Sequence, residues 1–159
     1  NVATKKSPEK RLERLWHGSR DSARTPVQWD NTENAGFTTG TPWFYVNENY
    51  KDINVAKQNP DAHSVLNFYR KAIYLRKTLS CVREGDYKEY YKKSKKIYMY
   101  SRQNQRQKIL VVCSFHEKDM KVPTPKGFDM DRAKLILCNY EAPTKNTLRP
   151  YECKVYLWK

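Results

Sequence analysis

SRDSARTPVQWDNTENAGFTTGTPW, residues 19–43, is the stretch around which the rest of the chain has to be read. It carries neither the 3.6-residue apolar period of a helix nor the two-residue period of a strand. Chain breakers are dense in it: Pro26, Asn31, Asn34, Gly36, Gly40 and Pro42. Yet Val27, Trp29, Phe37 and Trp43 make it too apolar for a polar linker. A long irregular segment in a compact protein is usually disordered or functional, and large aromatic side chains argue against disorder. Two readings stay open on the residues alone. The stretch is a surface loop held by aromatic anchors, or it is one wall of a ligand site.

On its N-terminal side, Ser7 has the chemistry of a helix cap, with Pro8 at the first helical position and Glu9 in the first turn. Leu12, Leu15 and Trp16 fall on one side of the helix this predicts, and Gly18 stops it. So short a helix is stable only when its apolar side docks on something. On the C-terminal side, Phe44–Val46 reads as a brief extended piece, Asn47–Asn49 as a turn, and Asp52–Lys57 as a helical turn. The strongest helix follows, from Asp61 to Leu79. In it Val65, Phe68, Tyr69, Ala72, Ile73 and Arg76 recur at i, i+3, i+4, i+7, i+8 and i+11, whereas Asn67, Arg70, Lys71 and Lys77 lie elsewhere. A stripe of that width needs a broad apolar surface opposite it.

After Ser80 the period changes. Asp86–Tyr91, Lys96–Arg102 and Lys108–Phe115 read as strands, the second and third joined as a hairpin through Gln103–Arg106. Ile109–Val112 is continuously apolar, as a central strand would be. Lys118–Val122 is a weaker strand, and Ala133–Cys138 and Cys153–Trp158 complete the set. Six short strands with polar turns imply an antiparallel sheet or sandwich. The chain thus divides near residue 80 into a helix-and-loop part and an all-β part. The first part is not self-sufficient, because two helices and a loop leave the stripe of the second helix uncovered.

The totals bound the function classes. The 159 residues carry a net charge of +14 and 13% aromatic residues, 12 of them Tyr. That charge raises an anionic partner such as nucleic acid, but the densest basic runs, Lys5–Arg14 and Lys88–Lys96, read as solvated surface. No run is long enough to span a bilayer and no signal peptide is evident, so no membrane partner and a cytoplasmic location are expected. Cys81, Cys113, Cys138 and Cys153 include no C-x-x-C pair, and His17, His63 and His116 stand at no ligand spacing from them. Free thiols, with no metal and no cofactor, are the expectation; within strands Cys113 and Cys138 act as small hydrophobes.

Candidate chemistry is sparse. Asp21 and Asp30 flank RTPVQWD, and paired carboxylates serve acid–base chemistry on glycosidic bonds, but Asp is also a common turn residue. Arg20 and Arg24 carry planar forks suited to gripping hydroxyls or carboxylates. Tyr87, Tyr90, Tyr91, Tyr98 and Tyr100, mixed with lysines, imitate a stacking platform for single-stranded nucleic acid; at period two they fit sheet packing better. There is no phosphate-binding glycine loop.

Taken as a whole, SRDSARTPVQWDNTENAGFTTGTPW with the following NENYKDINV closely resembles a segment of bacterial α-glucosidases of glycoside hydrolase family 13, of the oligo-1,6-glucosidase, dextran glucosidase and trehalose-6-phosphate hydrolase types. SVLNFYRKAIYLRK, ILVVCSF and LRPYECKVYLWK match in order, so the resemblance runs from about Lys10 onward. It implies an α+β fragment: the last segment and final helix of a (β/α)8 catalytic barrel (residues 1–80, incomplete), then a C-terminal antiparallel β-sandwich domain (81–159). The stripe of the second helix would pack on barrel strands absent from this chain. The family's nucleophilic Asp, acid/base Glu and transition-state-stabilising Asp belong to motifs upstream, so no catalytic residue is expected here and Asp21 and Asp30 are not promoted. By resemblance, Arg24 of the ARTP motif reaches the non-reducing-end glucose; Arg20 is the second choice. One departure is Val27, where relatives commonly have Met.

The resemblance implies a C-terminal portion of an α-glucosidase acting on α-1,6 or related bonds of oligosaccharides. Its partners would be glucosides and the missing barrel portion, and it would be inactive alone. Two alternatives stand beside it: a non-catalytic carbohydrate-binding or interaction module, and a basic nucleic-acid-binding protein.

Overall fold

The structure, a computed structural model, describes residues 7–18, 20–144 and 146–159. The chain forms two compact units, residues 1–60 and 61–159. In the first, α1 spans Pro8–Gly18. It starts at the expected Pro8 and takes Gly18 in as its last residue. The side chains of Leu15 and Trp16, expected on its apolar side, lie outside the described residues; Leu12 is exposed. Helix α2, Val55–Gln58, is capped by Asn54, whose side chain accepts from the Lys57 N–H at 2.8 Å. Asn54 is itself buried and donates to the Tyr50 carbonyl. Phe44–Val46 forms no strand.

In the second unit, α3 spans Val65–Thr78. Its start lies four residues past the expected one, because Ser64 supplies the cap, accepting from the Asn67 N–H at 3.2 Å. A short helix α4, Ser80–Glu84, follows directly. Then come β1 (Asp86–Tyr90), β2 (Ile97–Gln103), β3 (Lys108–Ser114), β4 (Met120–Lys121), β5 (Lys134–Cys138), β6 (Thr147–Leu148) and β7 (Cys153–Trp158). The expected strands are all present, β4 much shortened, and β6 is additional. β1, β2, β3, β7 and β5, in that order, make one antiparallel sheet, and β4 pairs with β6 in a second. The β2–β3 hairpin is in register Ser101↔Leu110, its turn held by the Asn104 side chain, which accepts from the Arg106 and Gln107 N–H groups.

Period two sends alternate residues of β3 to opposite faces. Ile109 and Val111 join Leu79, Cys81, Val155 and Leu157 in one buried cluster, with Leu75 of α3 against it. Leu110 and Val112 join Met99, Leu148 and Tyr156 in another. Both faces of the central strand are therefore covered, which is why its sequence reads as an unbroken apolar run. Each such side chain contributes about 1.5–3 kcal/mol by leaving water. Arg102 of β2 ties α4 down, donating from Nε to the Cys81 carbonyl at 3.3 Å and from Nη2 to the Gly85 carbonyl at 2.7 Å.

The anticipated stripe on α3 is only partly covered: Phe68 and Ala72 are half-buried, the rest of it exposed. None of the helix's residues is buried, and Val65, Tyr69 and Ile73 are 68%, 64% and 50% exposed.

Candidate functional site: the loop of residues 20–43

Arg20 and Arg24 bracket a single 3-10 turn, Asp21–Ala23. The Ala23 N–H donates to the Arg20 carbonyl at 3.2 Å, and the Arg24 N–H to the Asp21 carbonyl at 2.9 Å. Both arginines are exposed. Pro26 is buried immediately after and fixes the exit of the turn.

Beyond Pro26 the loop is shaped by three successive residues in the left-handed region: Asn34 at φ 51°, Ala35 at 57° and Gly36 at 65°. Asn and Gly tolerate this conformation; Ala pays about 1–2 kcal/mol for it. Ala35 is nonetheless fully buried, and its backbone is over-determined. Its carbonyl accepts from the Trp29 and Asp30 N–H groups at 2.9 and 3.2 Å, and its N–H donates to the Thr32 carbonyl at 2.9 Å. Asn34 Nδ2 donates to the carbonyls of Thr38 and Gly40, closing the next bend. The loop is also pinned to α2. The Val55 and Ala56 N–H groups donate to the Gln28 and Trp29 carbonyls, both at 2.9 Å, and Gln28 Nε2 donates to the Ile53 carbonyl. Local strain sustained by surrounding hydrogen bonds is a mark of functional loops.

Asp30 belongs to this scaffold. Its Oδ1 accepts from the Thr32 N–H at 2.8 Å and from Thr32 Oγ1 at 2.5 Å. The Thr32 hydroxyl first, and its N–H second, hold the Asp30 carboxyl below the usual range. A carboxylate spent on a turn and stabilised in its charged form is a poor proton donor, and Asp21 sits inside the 3-10 turn. The structure thus gives both aspartates the turn setting.

Among the described residues, the large aromatic side chains of the loop are mostly exposed. Trp43 and Trp29 are 71% and 50% exposed, and Phe37 is exposed as well. Trp43, Phe44 and Tyr45 form a ladder with ring centroids 5.5 and 4.7 Å apart.

The tyrosines of β1 and β2 pack on one another. Tyr87 and Tyr98 share a hydrogen bond at 3.1 Å, and both rings lie against Tyr100 at 5.4 and 5.5 Å. The bond to Tyr98, ahead of burial and the charge of Glu89, pushes the Tyr87 hydroxyl up to about 12. Among the described residues no cluster of His, Cys, Asp and Glu is arranged to hold a metal ion, and no helix is long and apolar enough to cross a membrane.

Two groupings escaped the sequence reading. Glu152 and Lys154 are wholly buried, with Glu152 Oε1 3.0 Å from Arg149 Nη2 and 3.4 Å from Lys154 Nζ. Cys113 and Cys153 face each other across β3 and β7 with sulfurs 3.2 Å apart. Alternation from residue 152 through β7 was the available signal for Glu152 and Lys154, but charges at alternate positions ordinarily mark a solvated face; the cysteine pair depends on the β3–β7 register, which the sequence does not show.

Comparison with known proteins gives this geometry a context. The oligo-1,6-glucosidase of Parageobacillus thermoglucosidasius is 38% identical over 154 residues, covering 94% of this chain and 27% of that protein. The trehalose-6-phosphate hydrolase of Bacillus subtilis (strain 168) is 43% identical over 143 residues, 87% of this chain and 26% of that protein. The crystal structure of the Bacillus licheniformis trehalose-6-phosphate hydrolase superposes with a TM-score of 0.86 at 36% identity, over 98% of this chain and 29% of that one. The chain therefore spans well under a third of the length of these relatives. The family described as "Alpha amylase, catalytic domain" matches residues 2–85, ending where β1 begins. With more than half of its length matched by that family, this chain belongs to the alpha-amylase family of glycoside hydrolases.

Proposed function

We propose that the chain is the C-terminal portion of an α-glucosidase that hydrolyses α-1,6 or related glucosidic bonds of oligosaccharides. Residues 1–80 would complete a (β/α)8 catalytic barrel, and residues 81–159 would form the β-sandwich domain that braces it. The observation that carries this reading is the exposed, strained loop of residues 20–43, in a chain that resembles oligo-1,6-glucosidases along nearly its whole length.

Arg24 is the residue assigned to substrate, with Arg20 as the second. A guanidinium offers several fixed donors to the acceptor oxygens of a sugar. At the rim of a glucose site it would hold the non-reducing-end ring while carboxylates elsewhere in the enzyme attack and protonate the glycosidic bond. Hydrolysis would proceed with retention through a glucosyl–carboxylate intermediate. This chain supplies neither carboxylate, so its role is binding and positioning.

The exposed part of the Val65–Ile73 stripe of α3 supports a partner on that side of the helix. Co-expression with the upstream barrel portion tests the proposal. A chromogenic α-glucoside should be turned over by the pair and not by this chain alone. Arg24→Ala in the pair should lower kcat/KM by about 10- to 150-fold, the equivalent of one or two hydrogen bonds from a charged donor. Full activity of that variant would remove Arg24 from the site.

A further inference from the structure

The thiols of Cys113 and Cys153 have no part in the glucosidase reading. They stand directly opposite each other on β3 and β7. The neighbouring Ser114 N–H donates to the Glu152 carbonyl at 2.8 Å, so the cysteines occupy a non-hydrogen-bonded pair of the ladder. Cα atoms in such pairs approach to about 4.5 Å, within the span a disulfide bridges. The sulfurs are already 3.2 Å apart and both residues are half-buried, not sealed. Asn139 fixes the backbone of Cys153, accepting its N–H at 2.7 Å on Oδ1 and donating its own N–H to the Cys153 carbonyl at 3.4 Å.

We propose that Cys113 and Cys153 form a redox-modifiable site, converted to a cross-strand disulfide by a two-electron oxidant of the peroxide class. The Cys113 thiolate attacks one peroxide oxygen, the O–O bond breaks, and the departing oxygen leaves as an alcohol or water after taking a proton. Cys113 is then a sulfenic acid. The Cys153 sulfur attacks Cys113 Sγ, the S–O bond breaks, and hydroxide leaves as water with the Cys153 proton. Two thiols are oxidised to one disulfide and one peroxide is reduced. The contact between the sulfurs favours a singly ionised pair with the charge on Cys113, where the hydrogen bond shared with Cys153 holds Cys113 below the ordinary thiol range. The same contact, with burial and the charge on Cys113, pushes Cys153 up. Cys138 is engaged elsewhere, donating to Glu152 Oε1 at 3.2 Å, and Cys81 is fully buried.

The test treats the purified chain with hydrogen peroxide, then alkylates and maps it by mass spectrometry. The expected product has lost two hydrogens, contains a single bridge between the Cys113 and Cys153 peptides, returns to four thiols with dithiothreitol, and keeps Cys81 and Cys138 alkylatable. In urea the preference should reverse, because an unfolded chain closes the shorter Cys138–Cys153 loop more readily. The native yield of the 113–153 bridge should exceed the urea yield by about tenfold or more. Cys113→Ser should abolish the two-hydrogen loss. Oxygen addition without a bridge, a native bridge through Cys138 or between chains, equal native and urea yields, or a bridge surviving in C113S would each overturn the proposal. The wild-type comparison in and out of urea stands even where the variant folds poorly.

Discussion

Glu152→Gln should be among the most damaging conservative substitutions in this chain. Glu152 immediately precedes β7, two residues before Lys154 and four before Tyr156, and all three are buried. Its carboxylate accepts the Arg149 N–H on Oε2 at 2.7 Å, and Arg149 Nη2 and Cys138 Sγ on Oε1 at 3.0 and 3.2 Å. Burial by itself raises such a group. Here the Arg149 side chain and N–H, the Cys138 thiol and the charge of Lys154 outweigh it, and the net shift is downward. Gln keeps the shape but leaves the Lys154 ammonium buried without a counter-charge. Breaking a buried pair on one side costs about 3–5 kcal/mol. The lower end applies, since Lys154 Nζ also donates to the Thr144 and Thr147 carbonyls. At about 1–3 kcal/mol per molar urea, a loss of about 3 kcal/mol moves the midpoint down by about 1–3 M. Adding Lys154→Met to Glu152→Gln should recover much of it. The sign with pH follows from the lowered value. The contribution is complete above the ordinary Glu range of about 4.3 and is lost as pH falls through the depressed folded value, so wild type should lose stability below pH of about 4 more steeply than Glu152→Gln. Urea denaturation followed by circular dichroism reads both effects. A loss under about 1 kcal/mol, or a double variant no better than the single one, refutes the reasoning.

Three other expectations can be checked as directly. A Cβ on Gly36 would meet both carboxylate oxygens of Asp30 at 2.7 Å, at a φ that L-residues resist. Gly36→Ala should cost the loop about 1–3 kcal/mol and speed hydrogen exchange at the Trp29 and Asp30 amides; unchanged exchange would contradict this. Ser64→Ala removes the cap of α3 and should cost about 1 kcal/mol in urea denaturation; an unmoved midpoint would show that the cap contributes nothing. Tyr69→Lys with Ile73→Gln should change unfolding by less than about 0.5 kcal/mol per site, because α3 buries neither residue, while reducing self-association in sedimentation. A wild-type chain that stays monomeric at high concentration would contradict the second half.

The sheet was legible because its signals are local and redundant. Ile109–Val112 reads as a central strand and is one, covered on both faces by Leu79 and Cys81 on one side and Met99 and Leu148 on the other. β6 was not legible, since Thr147–Leu148 is too short to carry a period, although Leu148 is fully buried. The buried charges of Glu152 and Lys154 had no signal of their own in the sequence, because burial of charge is decided by what covers it and not by spacing. In the loop, Asn34 and Gly36 announced a bend, but nothing in an alanine announces a left-handed φ, so the strain at Ala35 appeared only in the fold. Arg20 and Arg24 stood out by their guanidinium chemistry within this loop; the preference for Arg24, and a sugar as its ligand, came only through the resemblance.

We propose that this chain completes a glucose site whose reacting carboxylates lie outside it. The most direct test is α-glucoside turnover by the purified chain, by the chain with the upstream barrel portion, and by that pair carrying Arg24→Ala. The expected results are no turnover above buffer for the chain alone, enzyme-like turnover for the pair, and a drop in kcat/KM of about 10- to 150-fold for the variant pair. Enzyme-like hydrolysis by the isolated chain, or a pair indifferent to Arg24→Ala, would contradict it.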